Sequence, residues 1–179
     1  MVFRAVLDAN VMVGARQRDV LLTLAEAGVY APIWSGEILS EVGRHVPEEV
    51  STALVREMRR AFPDSDRGSW PGMASLMVAL AGTAVNQKDR HVLALALCAG
   101  ADVVVTGDAT LREELEEMDV EAQSASAFVS YAVDVDPALV RVALVDMARR
   151  RWRLLGSDKT VLERVEAWGK KQGWSWSVT

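Results

Sequence analysis

Five carboxylates in this chain stand where side chains do chemistry: Asp8, Glu37, Glu41, Asp89 and Asp108. Asp8 follows the apolar run Phe3-Arg-Ala-Val-Leu, and Asp108 follows Asp102-Val-Val-Val-Thr106-Gly. Both segments read as interior strands of a parallel sheet covered by helices, where β-branched residues are apolar on both faces. Ligands of open α/β sheets bind at the carboxyl ends of strands, so two such strands deliver two acids to one edge. A lone aspartate after a strand is commonly just a turn residue. Two of them from distant parts of the chain are a stronger signal, because clustered carboxylates repel one another and call for a cation. Glu37 and Glu41 are four apart, which puts them on one face of a helix. Asp89 stands at or next to the N-cap of an apolar helix, where a carboxylate is favoured.

The elements that must position these acids follow from the hydropathy pattern. Val92, Leu93, Leu95, Ala96, Leu97 and Ala99 give a broad apolar helix face that Gly100 stops. Asp19 to Gly28 reads as a short amphipathic helix with Asp19 as its N-cap, and Val29 to Trp34 as a second strand. Strand, helix and strand over 3–34 form a crossover unit, expected to be right-handed with parallel strands. Ser35 or Ser40 caps the helix that carries Glu41, and Pro47 opens another to about Phe62, ending near Arg56, Arg59 and Arg60. Pro63 to Gly72 is the most loop-like stretch and Met73 to Leu80 a short apolar helix. Trp70 in that loop could stack on a base, although pinning the loop to the core is the commoner use. Ala109 to Met118 is an acidic helix with a solvated face, Val120 to Gln123 a last strand, and Ser124 caps a helix through Tyr131.

Residues 133–179 read as a helical extension of the α/β unit at 1–132. Asp136-Pro137 starts a helix to about Trp152 by cap and first-turn proline, with Val140, Val142, Leu144, Val145 and Met147 apolar; Ser157-Asp158 starts another carrying Val161, Leu162, Val165 and Trp168. The extension holds Trp152, Trp168, Trp174 and Trp176 and the basic run Arg149-Arg-Arg-Trp-Arg153. Packing on the main unit or on a partner is the first reading of these residues, and RNA contact the second.

Composition sets bounds. No apolar run approaches the roughly 18 residues that span a bilayer, and Arg4 and Asp8 interrupt the N-terminal run, so a cytoplasmic protein with no membrane contact is expected. Cys98 is the only cysteine, which excludes an internal disulfide framework and a thiolate zinc cage. With two histidines, His45 and His91, a histidine-rich metal site is excluded as well. The net charge of −5 is uneven: residues 1–132 hold 11 Lys and Arg against 19 Asp and Glu, and residues 133–179 hold 9 against 6. Local arginines can still meet phosphates, so overall charge neither supports nor excludes RNA.

Val6-Leu-Asp8-Ala-Asn10, Ile38-Leu-Ser-Glu41-Val, Lys88-Asp89-Arg90-His91-Val-Leu-Ala-Leu-Ala and Ala101-Asp-Val-Val-Val-Thr106-Gly-Asp108 together resemble the four acidic motifs of the PIN-domain family, in the family's order. The third motif is most similar to the branch of VapC-like toxins, and the resemblance covers roughly residues 1–130. The chain departs from the family in having Ala9 where Thr or Ser is frequent, and Asn86 where an additional Asp is frequent in this branch. The resemblance implies an α/β fold of three layers, α/β/α, with a central, mainly parallel sheet. It also implies a divalent-metal-dependent endoribonuclease, the toxin of a toxin–antitoxin pair. Asp8 and Asp108 are then the direct metal ligands, with Glu41 and Asp89 completing the site directly or through water. Asn10 and Thr106 would hold the carboxylates by hydrogen bonds. Arg56, Arg59, Arg60, Arg90 and His91 are candidate RNA contacts. Oxygen-only ligands without thiolates point to Mg2+ or Mn2+. RNA is the expected substrate, with a small antitoxin protein and a second copy of the chain as expected partners. Glu37 is held in reserve, its first reading being a surface glutamate. The alternatives are a non-catalytic RNA- or partner-binding relative, or an RNA-processing nuclease without an antitoxin. A phosphatase of the haloacid-dehalogenase type would need a second aspartate where Asn10 stands.

Overall fold

The structure is a computed structural model that describes residues 2–66 and 70–178. Residues 67–69 of the loop expected over 63–72 lie outside the described residues. Four strands form one sheet: β1 (Arg4–Leu7), β2 (Ala31–Ile33), β3 (Val103–Val105) and β4 (Ala122–Gln123), in the order β2-β1-β3-β4 with every neighbouring pair parallel. Ten α-helices accompany it among the described residues, α1 (Ala9–Met12), α2 (Ala15–Glu26), α3 (Gly36–His45), α4 (Glu48–Ala61), α5 (Met73–Ala79), α6 (Arg90–Ala99), α7 (Ala109–Glu116), α8 (Ala125–Val135), α9 (Pro137–Arg150) and α10 (Asp158–Lys171). The class is α/β, and its all-parallel sheet is compatible with three layers.

The central pair β1 and β3 explains why the run over 102–106 is β-branched throughout: Val103, Val104 and Val105 are all fully buried, as are Ala5, Val6 and Leu7 beside them. Their register pairs Leu7 with Val105, and the backbone NH of Asp8 continues the ladder to the Val105 carbonyl at 3.0 Å. From β1 the chain crosses to β2 on one side, while β3 lies on the other, so the sheet reverses its winding between β1 and β3. A crevice opens at such a reversal beyond the strands' carboxyl ends.

Local chemistry sets most element ends. Ser35, Ser124 and Ser157 cap α3, α8 and α10 through hydroxyls that accept the NH groups of Ile38, Ala127 and Thr160. Gly100 ends α6 in the left-handed conformation, φ 58°, which costs a residue with a Cβ more than glycine. Ser40 lies inside α3 instead of capping it.

Several boundaries differ from those expected of the sequence. Helix α2 starts at Ala15 with Gly14 at its N-cap, so Asp19 is an interior residue. Ala15 to Arg18 are sound helix formers, and the Arg18 guanidinium donates to the Met12 and Val13 carbonyls at 2.6 and 3.1 Å, tying the helix start to the preceding turn. Asp19 bonds the tail, accepting from the Trp152 Nε1–H at 2.9 Å and facing Arg151 at 3.4 Å. Helix α8 continues past Tyr131 to Val135 because Ala132 and Val133 extend its buried stripe, and Asp136 then caps α9 by accepting the Leu139 NH. Val142 is exposed on α9, whose inner face is Val140, Leu144, Val145, Met147 and Ala148. Helix α5 has no buried residue although it is apolar, and Val78 is largely open to solvent.

Helix α9 packs on α2 and α8, and α10 on α9, so Val140, Leu144, Val161 and Val165 join the same core as Leu21, Leu24 and Phe128. Trp152, Trp168, Trp174 and Trp176 form a chain of ring contacts with centroid separations of 5.1, 5.2 and 6.4 Å, and Arg16 lies 4.9 Å over the Trp152 ring. Three of the basic run's four arginines are paired internally: Arg149 with Asp158, Arg150 with Asp146, and Arg151 with Asp19 and Glu26. Trp70 is buried and donates its Nε1–H to the Trp34 carbonyl at 3.3 Å, so its ring pins the loop to the core and is not open to a base. No helix among the described residues is long and apolar enough to cross a membrane.

Candidate active site

Past the carboxyl ends of β1 and β3, a cavity of about 470 Å³ is lined by Asp8, Glu41, Asp89 and Asp108, with Glu37 at its rim and Asn10, Arg44, Lys88 and His91 completing its wall. These side chains come from different elements. Asp8 leaves β1 and Asp108 follows β3, Glu37, Glu41 and Arg44 share one face of α3, and Lys88 and Asp89 lead into α6, whose first turn holds His91.

Asp8 is almost wholly buried and held by three donors. Its Oδ1 accepts the Ala9 NH at 2.7 Å, and its Oδ2 accepts the Asn10 Nδ2–H at 2.6 Å and the Thr106 hydroxyl at 2.7 Å. Asn10 in turn donates to Thr106 Oγ1 at 3.0 Å and accepts the Gly107 NH at 2.8 Å through its Oδ1. The Thr106 Oγ1 also accepts the Asp108 NH at 3.1 Å. Asn10 and Thr106 therefore lock the two strand ends together and fix the plane of the Asp8 carboxylate. The one-residue-past position of Asp8 and Thr106 in the β1–β3 register makes these contacts between groups 98 apart in sequence.

Asp108 divides its two oxygens. Oδ1 caps α7, accepting the Thr110 and Leu111 NH groups at 2.9 and 3.2 Å, and Oδ2 faces the Lys88 ammonium at 3.9 Å. Asp89 stands at the N-cap position of α6 with helical dihedrals and makes no side-chain cap bond, so its carboxylate is left for the cavity, where Lys88 Nζ lies 3.6 Å away. The sequence favours a capping role at this position; the α-region ψ of −7° turns the side chain away from the helix NH groups.

Electrostatics register the crowding. Burial pushes the Asp8 carboxyl above its ordinary 3.8, opposed by the Thr106 and Ala9 hydrogen bonds and assisted by the Glu41 charge. Burial also raises Asp89, where the Lys88 charge opposes and the charges of Asp8 and Asp108 assist. For both groups the protonated form gains on folding, chiefly because burial penalises the charge, with the neighbouring acids adding to it.

The oxygen donors of the lining suit a hard divalent cation: five carboxylates and the Asn10 amide stand there with no thiolate, beside the nitrogens of Arg44, Lys88 and His91. The carboxylates are not closed into a cage, since among the described residues no three His, Cys, Asp or Glu side chains form a metal-holding group. Mg2+ retains several waters and is held through one or two carboxylates, so Asp8 and Asp108, with Glu41 and Asp89 acting through water, remain a chemically suitable set. No protein-family model, curated protein or solved structure matches the chain. The site's chemistry therefore rests on its own side chains.

The candidate RNA contacts are dispersed. His91 is buried, its Nδ1 2.8 Å from the Lys88 carbonyl oxygen and 4.0 Å from Glu37, which makes it part of the cavity wall instead of an outer surface. Arg90 donates its Nε–H to the Val85 carbonyl at 3.0 Å. Arg56 and Arg59 line a separate groove between α3 and α4, and Arg60 is exposed on α4 outside both cavities. Two wall residues carry roles that the motifs did not assign. Arg44 follows Glu37 and Glu41 at seven and three residues, a spacing that already puts it on their helix face, and Lys88 directly precedes Asp89.

Proposed function

We propose that this cavity is the active site of a divalent-metal-dependent endoribonuclease of the PIN type, hydrolysing RNA phosphodiester bonds. The observation that carries the reading is the convergence of Asp8, Glu41, Asp89 and Asp108 from four separate segments on one cavity beyond the carboxyl ends of a parallel sheet. Asp8 and Asp108 would hold Mg2+ or Mn2+, with Glu41 and Asp89 anchoring its water. A bound metal of this kind supplies a nucleophilic water at neutral pH and offsets charge on the scissile phosphate.

The chain's own residues do the rest. Asn10 and Thr106 keep the Asp8 carboxylate in one orientation, so that no side-chain ordering is required on substrate binding. Asp108 uses Oδ1 for the α7 cap and leaves Oδ2 for the cavity. Asp89, which makes no cap bond and faces the cavity, is the carboxylate left to take the proton released as water attacks phosphorus. Lys88 and Arg44 are the cations at hand for the non-bridging phosphate oxygens.

Cleavage of a labelled single-stranded RNA in Mn2+ tests the reading. Asp108→Asn is the cleanest variant, since asparagine is as good an N-cap as aspartate and only the charge is lost. Cleavage should fall by about 100-fold or more in Asp8→Asn and in Asp108→Asn, with the double variant little worse than the worse single. Wild-type rates in both single variants would remove the nuclease assignment.

A further inference from the structure

Beside the acid cavity runs a second groove, about 620 Å³, between α3 and α4. Three guanidinium groups line it, those of Arg44, Arg56 and Arg59, together with hydroxyl residues Ser40 and Thr52. Arg44 lines both cavities, so the two are neighbours across a single side chain. Among the described residues Arg44 has no hydrogen bond or ion pair, although it stands on the same face of α3 as Glu37 and Glu41. Arg56 has only its sequence neighbour Glu57, at 3.5 Å, both side chains being well exposed. Arg59 is aimed by Asp66 through Nε at 2.9 Å, and one of its terminal nitrogens lies 3.8 Å from where a Cβ on Gly36 would stand.

We propose that the α3–α4 groove is a phosphate track that carries the backbone of a single nucleic-acid strand into the acid cavity, with Arg44 at the junction. The inference builds on the nuclease reading and adds the path and the mode of recognition. Three arginines lie along one groove that opens next to the carboxylate cluster, and a polyanion passing that cluster needs cations on its approach. The groove's lining is mixed, with Leu39 and Val55 contributing aliphatic surface between the polar side chains, and no aromatic ring is among its lining residues, so it offers nothing for a base to stack on. Contacts are therefore to phosphates and sugars, which position a strand without reading its sequence. An acidic peptide would meet the same three cations, but past Arg44 its carboxylates would face those of the acid cavity with no phosphodiester to present.

The test is binding in chelator, where cleavage is silent, read by fluorescence anisotropy of labelled oligouridylate and oligoadenylate 12-mers. Arg44→Gln and Arg56→Gln are the variants, and Arg164→Gln on exposed α10 is the equal-charge control. Wild type should bind both oligomers alike. Each groove variant should weaken binding several-fold and make the dependence of log Kd on log salt shallower by about 0.7, the slope contributed by each phosphate that a protein cation neutralises on a single strand. The control should bind as wild type, and matching melting curves would show that the variants are folded. The proposal is overturned if wild type binds neither oligomer, if the groove variants bind unchanged, if Arg164→Gln loses as much, or if labelled oligoglutamate binds as tightly as the RNAs with the same arginine dependence. Intact binding with no cleavage on adding Mn2+ would remove the nuclease reading and leave the track standing. Cleavage that is indifferent to Arg44 and Arg56 would do the reverse.

Discussion

Asp89 and Asp8 illustrate how differently two acids of one cavity are treated. Asp8 carries three hydrogen bonds and is fixed; Asp89 has one exposed ammonium for company. Both have folded pKa values raised above the ordinary 3.8, so each favours the folded state most below 3.8, and that contribution is lost as pH rises through its folded value. In chelator, stability should therefore increase as pH falls from neutral toward the acid range, before general acid unfolding sets in. Asp89→Asn should melt higher than wild type at pH 7, because it removes a net unfavourable charge and no cap bond, and the difference should shrink as pH approaches 3.8. A lower melting temperature for Asp89→Asn at pH 7 would mean that its ion pair with Lys88 outweighs burial and repulsion. Asp8→Asn should behave otherwise, since an amide NH2 cannot accept both the Thr106 hydroxyl and the Asn10 amide.

At the scale of elements, junctions matter more than lengths. The α6–β3 turn depends on Gly100 at φ 58° and ψ 50°, with Arg4 about 4 Å from any added Cβ. Gly100→Ala should cost about 1 to 2 kcal/mol in urea unfolding, and a loss indistinguishable from zero would show that the turn relaxes. The α2–α9 contact is held by Trp152, which donates to Asp19 while its ring takes Arg16 on its face and Trp168 at its edge. Trp152→Phe keeps much of the ring and loses the charge-assisted bond, so it should cost about 1.5 to 3 kcal/mol. Trp152→Ala should cost more, roughly 3 kcal/mol or above, by emptying the ring site. If both variants unfold at the same urea concentration, the hydrogen bond is the whole contribution of this residue.

For the molecule as a whole, the continuous core from Val6 through Leu24 and Val140 to Val165 bears on cooperativity. Four of the six tryptophans lie in 133–179, so tryptophan fluorescence reports mainly on the tail and far-ultraviolet circular dichroism on all helices. The two melting curves should coincide; separate transitions would mean that the tail unfolds by itself. Mn2+ should raise the wild-type melting temperature by mass action on the folded state, and the rise should be much reduced in Asp108→Asn. An equal rise in the variant would place the ion elsewhere.

What the sequence determined is what short-range chemistry controls. Val103 to Val105 are buried because a β-branched run suits an interior parallel strand, Ser35, Ser124, Ser157 and Asp136 cap because their side-chain oxygens reach the next NH groups, and Gly100 ends a helix because it tolerates positive φ. The acids were legible as strand-end and helix-face positions, and Arg44 was within reach of the same spacing argument. The start of α2 was not, because Asp19 has the sequence of a cap and acquires its real partner, Trp152, only through contact with α9. The basic run of the tail likewise leaves packing and RNA contact open in the sequence, and only its ion pairs with Asp19, Glu26, Asp146 and Asp158 show where its charge goes. Above all, tertiary structure alone decided that β1 and β3 are neighbours in register, which brings Thr106 and Asn10 onto Asp8 and sets Asp108 opposite Lys88. Strand pairing joins residues some hundred apart through backbone bonds common to every residue type, so no local pattern encodes which strand lies beside which.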